Sequence, residues 1–131
     1  MKLERLPGVF AVCRFAPDAP MPSWALRASI VCIARTDREL SIVAEEVLVP
    51  ASGAEAPRRI ERGWVAIRVA GQLDFALVGV LSGITGALAG AGIAIFVFST
   101  FETDYILVKG ADDERAQAAL RRAGYPVTSV G

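Results

Sequence analysis

Hydrophobic and polar residues alternate in short runs through the first half of the chain, a pattern typical of strands that bury one face. The runs predict strands over residues 8–15, 27–34 and 40–44. Three prolines between positions 17 and 22 exclude a helix interior or a central strand between the first two runs. Residues 50–57 are rich in proline and alanine, so they are predicted to form a linker.

The second half has a regular order of strand and helix patterns. Helical patterns begin at Asp74 and Asp112, and the second has acidic residues in its first turn, basic residues in its last and Gly124 just beyond. Strand patterns cover residues 64–70, 93–98, 104–109 and 126–130. The order strand, helix, strand, strand, helix, strand is that of a ferredoxin-like βαββαβ unit, so we predict the α+β class.

No charged side chain lies between Asp74 and Glu102, and this run is long enough to cross a bilayer. A membrane span is therefore the alternative to two successive buried elements. Both flanks are acidic, which gives no Lys/Arg asymmetry to orient a span. At residues 90–92 the helical pattern also gives way to a β-branched and aromatic strand pattern. We therefore expect a helix followed by a strand, and no membrane contact.

The helical part of this run has two distinct faces. Leucine and isoleucine fall on one face, and the opposite face carries four glycines, namely Gly79, Gly83, Gly86 and Gly90. Each glycine weakens a helix by roughly 0.5–1 kcal/mol relative to alanine. We therefore expect another element, a ligand or a second copy of the chain to lie against the glycine face.

Composition excludes several classes of function. The chain has 131 residues and a net charge of zero, so it lacks the basic field that nucleic acid requires. It contains no histidine, which removes the usual imidazole base and zinc ligand, and we expect neither a metal nor a cofactor. Cys13 and Cys32 lie in apolar runs, where buried thiols are favoured over a disulfide. The N-terminus lacks the features of a secretory signal, so we expect a cytoplasmic protein.

The stretch from Leu73 to Lys109, LDFALVGVLSGITGALAGAGIAIFVFSTFETDYILVK, resembles the ACT-domain family. Within that family it is similar to small bacterial tandem ACT-like proteins related to the cytosolic arginine sensors. The first half, with RTDRELSIVAEE, resembles the degenerate N-terminal unit of the same group. The resemblance implies two ACT units in tandem. Residues 1–57 would be a reduced, mostly β unit with its linker, and residues 58–131 a complete βαββαβ unit.

What the resemblance implies for function is a non-catalytic regulatory or sensor protein that binds a small molecule, often an amino acid, between ACT units. We also expect a homodimer and a regulated partner protein. The candidate ligand-binding residues are Leu73, Asp74, Phe75, Gly79, Ser99, Thr100, Phe101, Glu102, Thr103 and Asp104.

Two parts of this set have opposite chemical preferences. Asp74 is predicted to cap the first helix, whose free N–H groups suit a carboxylate, although Asp74 and Gly79 also fit purely structural roles. The turn over 99–104 offers hydroxyls and carboxylates, which suit an ammonium or guanidinium group. The same residues also fit a polar hairpin turn whose acidic side chains are solvated. Asp104 is the best single candidate, because an unpaired charge that begins an apolar strand is costly. We predict a small amino acid as the ligand, with basic ones among the candidates.

Two other classes of function remain open. The chain can be a structural ACT pair that acts only in oligomerisation, through its glycine face. It can also be a small enzyme that uses Cys13 or paired carboxylates. The enzyme hypothesis has the least support, because neither cysteine has a neighbouring histidine or cation cluster to lower its pKa. We therefore expect no catalytic residues.

Overall fold

A computed structural model describes all residues from Met1 to Gly131. The strands are β1 (Leu3–Arg5), β2 (Phe10–Phe15), β3 (Cys32–Arg35), β4 (Leu40–Glu45), β5 (Arg59–Val69), β6 (Ile95–Ser99), β7 (Asp104–Lys109) and β8 (Val127–Ser129), and the α-helices are α1 (Val80–Gly90) and α2 (Asp113–Arg122). Neither α-helix has the length and hydrophobicity that a transmembrane span requires.

The chain divides into two compact units. The N-terminal unit is Gly8–Trp64, and the C-terminal unit combines Met1–Pro7 with Val65–Gly131. These ranges differ from the predicted division into 1–57 and 58–131. The first residues belong to the C-terminal unit because β1 pairs antiparallel with β5 and parallel with β8. A strand of three residues whose partners lie far away in sequence leaves too little local pattern to be predicted.

The N-terminal unit is mostly β, as predicted. Its strand order is β3-β4-β2-β5, and each neighbouring pair is antiparallel. Strand β2 alternates as the sequence indicates, with Ala11, Cys13 and Phe15 in the core and Arg14 exposed. A short 3₁₀ helix, Ser23–Arg27, is the only helical element between β2 and β3.

The segment 50–57 is an ordered part of the N-terminal unit and not a free linker. The carboxylate of Glu55 accepts hydrogen bonds from the backbone N–H of Ser23 at 2.5 Å and from its hydroxyl at 2.7 Å. These bonds lower the pKa of the Glu55 carboxyl. The indole N–H of the buried Trp24 donates to the carbonyl of Glu55 at 2.9 Å. Glu55 therefore anchors, through its carboxylate and its carbonyl, a segment whose composition alone indicates a linker.

The C-terminal unit contains the predicted βαββαβ order, formed by β5, α1, β6, β7, α2 and β8. Its sheet has the order β6-β7-β5-β1-β8, so β1 is inserted between the first and last strands of that series. Both helices bury their apolar faces in one core with the sheet, through Ile84 and Leu88 of α1 and Ala116 and Leu120 of α2. The predicted α+β class and ferredoxin-like βαββαβ order are confirmed.

An ion pair attaches β1 to α2. The guanidinium of Arg5 donates to the carboxylate of Asp113 at 2.8 Å and 3.1 Å, and the Gln117 amide donates to the same carboxylate at 2.9 Å. The Arg5 hydrogen bond holds the pKa of Asp113 below its ordinary value. Asp113 therefore stabilises the first turn of α2 and its contact with β1.

The glycine face of α1 is covered at one position within the chain. A Cβ atom at Gly83 would overlap the hydroxyl of Tyr125, whereas one at Gly86 or Gly90 would have no neighbour within 4 Å. Within the chain, close packing is therefore found at Gly83 and not at Gly86 or Gly90, where coverage by a ligand or a second copy stays a prediction. Gly79 differs from the other three because it precedes the helix, with a φ of 78°.

Candidate functional site

A cleft of about 320 Å³ lies in the C-terminal unit, between the loop that precedes α1 and the turn that joins β6 to β7. The structure brings all ten candidate residues together around this cleft, although they come from two segments of the chain. Four further lining residues were not among the candidates, namely Leu77, Val80, Leu81 and Ser82. These four residues were not among the candidates because the helix was predicted to begin at Asp74. Its first turn was therefore expected earlier in the chain than Val80, where the helix begins.

Asp74 caps a turn in the loop and does not cap the helix. Its carboxylate accepts a hydrogen bond from the N–H of Ala76 at 2.7 Å, and its carbonyl accepts from the N–H of Leu77 at 3.0 Å. The helix starts only at Val80. The predicted capping role of Asp74 is therefore wrong. Aspartate favours both helix caps and turns of this kind, and the sequence alone does not distinguish the two.

Gly79 occupies the N-cap position of α1. Its left-handed backbone is one that residues with a Cβ rarely adopt, which gives this glycine a conformational role. No side chain caps the helix, and the first helical bond runs from the N–H of Gly83 to the carbonyl of Gly79. The N–H groups of Val80, Leu81 and Ser82 precede that bond. Since these three residues line the cleft, the cleft has an uncapped helix N-terminus at one end.

The β6–β7 turn forms the opposite end of the cleft. Thr100 and Thr103 close the turn, because the N–H of Thr100 donates to the carbonyl of Thr103 at 2.8 Å. The buried Thr103 hydroxyl donates to the carbonyl of Val69 at 2.7 Å, so it positions the turn and is not available to a ligand. Ser99 and Asp104 are cross-strand partners, and the Ser99 hydroxyl donates to the Asp104 carboxylate. Asp104 is therefore paired, contrary to the assumption behind its selection, yet it still lines the cleft.

Two contacts join the loop to the turn. The N–H of Leu73 donates to the carbonyl of Glu102 at 2.7 Å. The rings of Phe75 and Phe101 meet edge to face, with centroids 4.9 Å apart. Both rings remain largely exposed, at 74% for Phe75 and 73% for Phe101. The cleft thus has an apolar wall that is open to a ligand.

The charges around the cleft all have one sign. Asp74, Glu102 and Asp104 contribute carboxylates, and no lysine or arginine is among the lining residues. The only positive contribution is the uncapped end of α1, equivalent to about half an elementary charge. The cleft is therefore a negative site with one positive end.

Neither a metal centre nor an activated cysteine accompanies this site. No group of three or more histidine, cysteine, aspartate or glutamate residues is placed to hold a metal ion. Both cysteines are free thiols in the N-terminal unit, and burial raises the pKa of Cys13 to about 11. A thiol with so high a pKa is protonated at neutral pH and is a poor nucleophile.

Comparison with known proteins agrees with this architecture. The family model of the ACT domain matches residues 59–122, and a second model, that of an N-terminal domain, matches residues 8–52. The crystal structure of a protein from Agobacterium tumefaciens is 32% identical in sequence and has a TM-score of 0.89, with 99% of this chain and 93% of that chain covered. The chain belongs to the ACT-domain family.

More distant solved structures share the fold of this ACT-domain protein. The regulatory subunit of aspartate kinase from Thermus flavus is 11% identical with a TM-score of 0.63, and the match covers 94% of this chain and 97% of that one. A protein of unknown function from Vibrio cholerae, described as a possible transport protein, is 21% identical with a TM-score of 0.70, covering 93% and 88%. At these identities the likeness shows the fold alone. No curated protein matches the chain by sequence.

Proposed function

We propose that this ACT-domain protein is a non-catalytic regulatory protein that binds a basic amino acid, such as lysine or arginine, in the cleft between the α1 N-terminus and the β6–β7 turn. The charge of the cleft carries the proposal, because Asp74, Glu102 and Asp104 line it and no cationic side chain does. A ligand with a net positive charge is favoured at such a site over a neutral zwitterion. The ACT family and the aspartate kinase regulatory subunit with the same fold support a regulatory role.

The uncapped end of α1 would receive the carboxylate of the ligand. The N–H groups of Val80, Leu81 and Ser82 have no intrahelical acceptor, and no side chain supplies one. A carboxylate at this position gains both hydrogen bonds and the favourable end of the helix dipole. It would therefore act as the N-cap that the chain itself does not provide.

The carboxylates and the aromatic pair would receive the cationic side chain. Asp104 presents an oxygen that the Ser99 hydroxyl does not occupy, because that hydroxyl donates to Oδ1. Phe75 and Phe101 offer exposed rings along which an aliphatic stem can pack. A cation over such a ring gains about 0.5–1 kcal/mol at an exposed site. The volume of about 320 Å³ suits a ligand of amino-acid size.

A structural role in assembly is the second candidate function, and exposed apolar side chains near the cleft favour it. Val78 is 90% exposed and Leu77 is 53% exposed, next to the Phe75–Phe101 pair. Large apolar side chains clustered at a surface are typical of interaction sites. A homodimer through this surface, and a regulated partner protein, are compatible with ligand binding and belong to the proposal.

The test is a thermal-shift and calorimetric screen of the full chain against the proteinogenic amino acids, with norleucine as a neutral control for lysine. A ligand at about 100 times its dissociation constant stabilises the fold by roughly 2.7 kcal/mol. Lysine or arginine is expected to bind and norleucine to bind much more weakly. If no amino acid binds while Val78→Asp dissociates an oligomer, the structural function replaces the regulatory one.

Asp104→Asn identifies the cation partner once a ligand is found. The amide keeps an oxygen that can accept the Ser99 hydrogen bond, so the fold should be retained. Loss of a charge-assisted bond should weaken binding by roughly tenfold or more. Asp37→Asn, in an exposed turn of the N-terminal unit, is the matched control and should leave the affinity unchanged. Unchanged binding by Asp104→Asn would exclude this residue as the cation partner.

A further inference from the structure

A second cavity, of about 420 Å³, lies within the N-terminal unit, on the face of its sheet opposite the core. It is lined by Val12 and Arg14 of β2 and by Arg59, Ile60 and Glu61 of β5. Nothing in the proposed amino-acid site uses these residues. The cavity therefore requires its own explanation.

Two arginines on neighbouring strands line this cavity. Arg14 and Arg59 are register partners in the antiparallel β2–β5 pair, and both are exposed. Direct partners on one face of an antiparallel pair have Cβ atoms about 4.5–5.5 Å apart, and like charges in such pairs are destabilising. Arg14 donates to the backbone carbonyl of Arg38 at 3.5 Å, and no carboxylate is paired with Arg59. The positive charges of Arg14 and Arg59 therefore repel each other on this face of the sheet.

We propose that Arg14 and Arg59 form a binding site for a small phosphate-bearing anion. A phosphate dianion placed between two guanidinium groups turns their repulsion into two attractions and offers several acceptor oxygens. Guanidinium groups match phosphate geometry because each can donate two parallel hydrogen bonds. The cavity is larger than inorganic phosphate alone, so the site admits a small phosphate ester.

Glu61 limits which anions this site can bind. It lies on the same face in the neighbouring register position, opposite Val12, and it lines the same cavity. Its carboxylate leaves the cavity with one net positive charge and disfavours a long polyanion. The net charge of the whole chain is zero, so the chain as a whole does not attract a polyanion. The site therefore selects a small phosphate over a nucleic-acid backbone.

The experiment measures binding of inorganic phosphate and of glycerol phosphate to the full chain by calorimetry, with chloride at matched ionic strength as the reference. Arg14→Gln and Arg59→Gln should each weaken phosphate binding by roughly tenfold or more. Glu61→Gln removes a negative neighbour and should strengthen it. Arg122→Gln changes an exposed arginine of the C-terminal unit and should leave it unchanged.

Thermal unfolding supplies a second measurement. If the two arginines had only a structural role, phosphate would not stabilise the chain in a way that depends on Arg59. In chloride alone, Arg59→Gln relieves the repulsion and should leave the melting temperature unchanged or raise it. In phosphate, the original chain should gain stability and Arg59→Gln should gain markedly less. The proposal is overturned if phosphate stabilises the chain no more than chloride does, or if all three arginine variants respond alike. Tighter, strongly salt-dependent binding of a single-stranded oligonucleotide would also overturn it, in favour of a polyanion surface.

Discussion

Gly83 and Tyr125 provide a double-mutant test of how α1 packs. A Cβ atom at Gly83 would overlap the Tyr125 hydroxyl, while the next ring carbon would lie 3.7 Å away, an ordinary contact. Gly83→Ala gains roughly 0.5–1 kcal/mol from helix propensity but loses about 1–3 kcal/mol to overpacking. The single substitution should therefore leave the free energy of unfolding unchanged or lower it by up to about 2.5 kcal/mol.

Tyr125→Phe removes the overlapping oxygen and should reverse the sign of the effect that Gly83→Ala has on the free energy of unfolding. In this background Gly83→Ala is expected to stabilise the chain by roughly 0.5–1 kcal/mol, because only the propensity gain remains. The coupling between the two positions is then about 1–3 kcal/mol. Urea unfolding followed by far-UV circular dichroism measures all four variants of the cycle.

Gly86→Ala is the matched control one turn along the same helix. Its Cβ would have no neighbour within 4 Å, so it should stabilise the chain with or without the Tyr125 hydroxyl. If Gly83→Ala stabilises the original chain as much as Gly86→Ala does, the close packing of Gly83 against Tyr125 is refuted. If Gly86→Ala is itself destabilising, a second copy of the chain covers the glycine face after all.

Three other substitutions or reagents test single features of the structure. Gly79→Ala should destabilise the chain by about 1–2 kcal/mol, whereas Gly79→Asn should cost less, because asparagine tolerates the left-handed backbone; equal losses in thermal unfolding would argue against the N-cap geometry. Asp113 has a lowered pKa because Arg5 donates to it, so its contribution to stability is complete above its ordinary pKa of 3.8 and is lost as the pH falls through the lower folded value. The stability difference between the original chain and Asp113→Asn should accordingly shrink below about pH 4, and a difference independent of pH would contradict this. Cys13, with a pKa of about 11, should resist thiol reagents at pH 7.5 in the folded chain while Cys32 reacts first, as mass spectrometry can show.

Strongly periodic segments were predicted well from the sequence. The last helix was predicted over 112–123 and spans Asp113–Arg122, and the strand Asp104–Lys109 has the predicted bounds. Both have local signals, namely charges that match the helix dipole and an apolar strand bounded by polar residues. The first three-residue strand and the anchored 50–57 segment were not predicted, because β1 depends on distant partners and the segment on the side chain of Glu55.

The sequence predicted ten residues that lie together in one cleft but not the geometry of that cleft, and their role in ligand binding stays a prediction. All ten candidates line one cleft, since the family resemblance identified both segments that form it. The predicted start of the helix at Asp74 was wrong, because an aspartate before an apolar run satisfies the pattern of a cap as well as that of a turn. The true N-cap, Gly79, depends on a left-handed backbone. That conformation is permitted by a glycine but is not specified by it.

The most direct test of the amino-acid site is an amide NMR titration of the isotope-labelled full chain with lysine, arginine and norleucine. The N–H groups at the start of α1 are expected to respond to the ligand carboxylate, so shifts should concentrate at Val80, Leu81 and Ser82, with a second group at residues 99–104. Norleucine at the same concentration should give much smaller shifts. Saturable lysine or arginine shifts at these positions would agree with the proposed site. Shifts confined to other parts of the chain, or none at millimolar ligand, would contradict it.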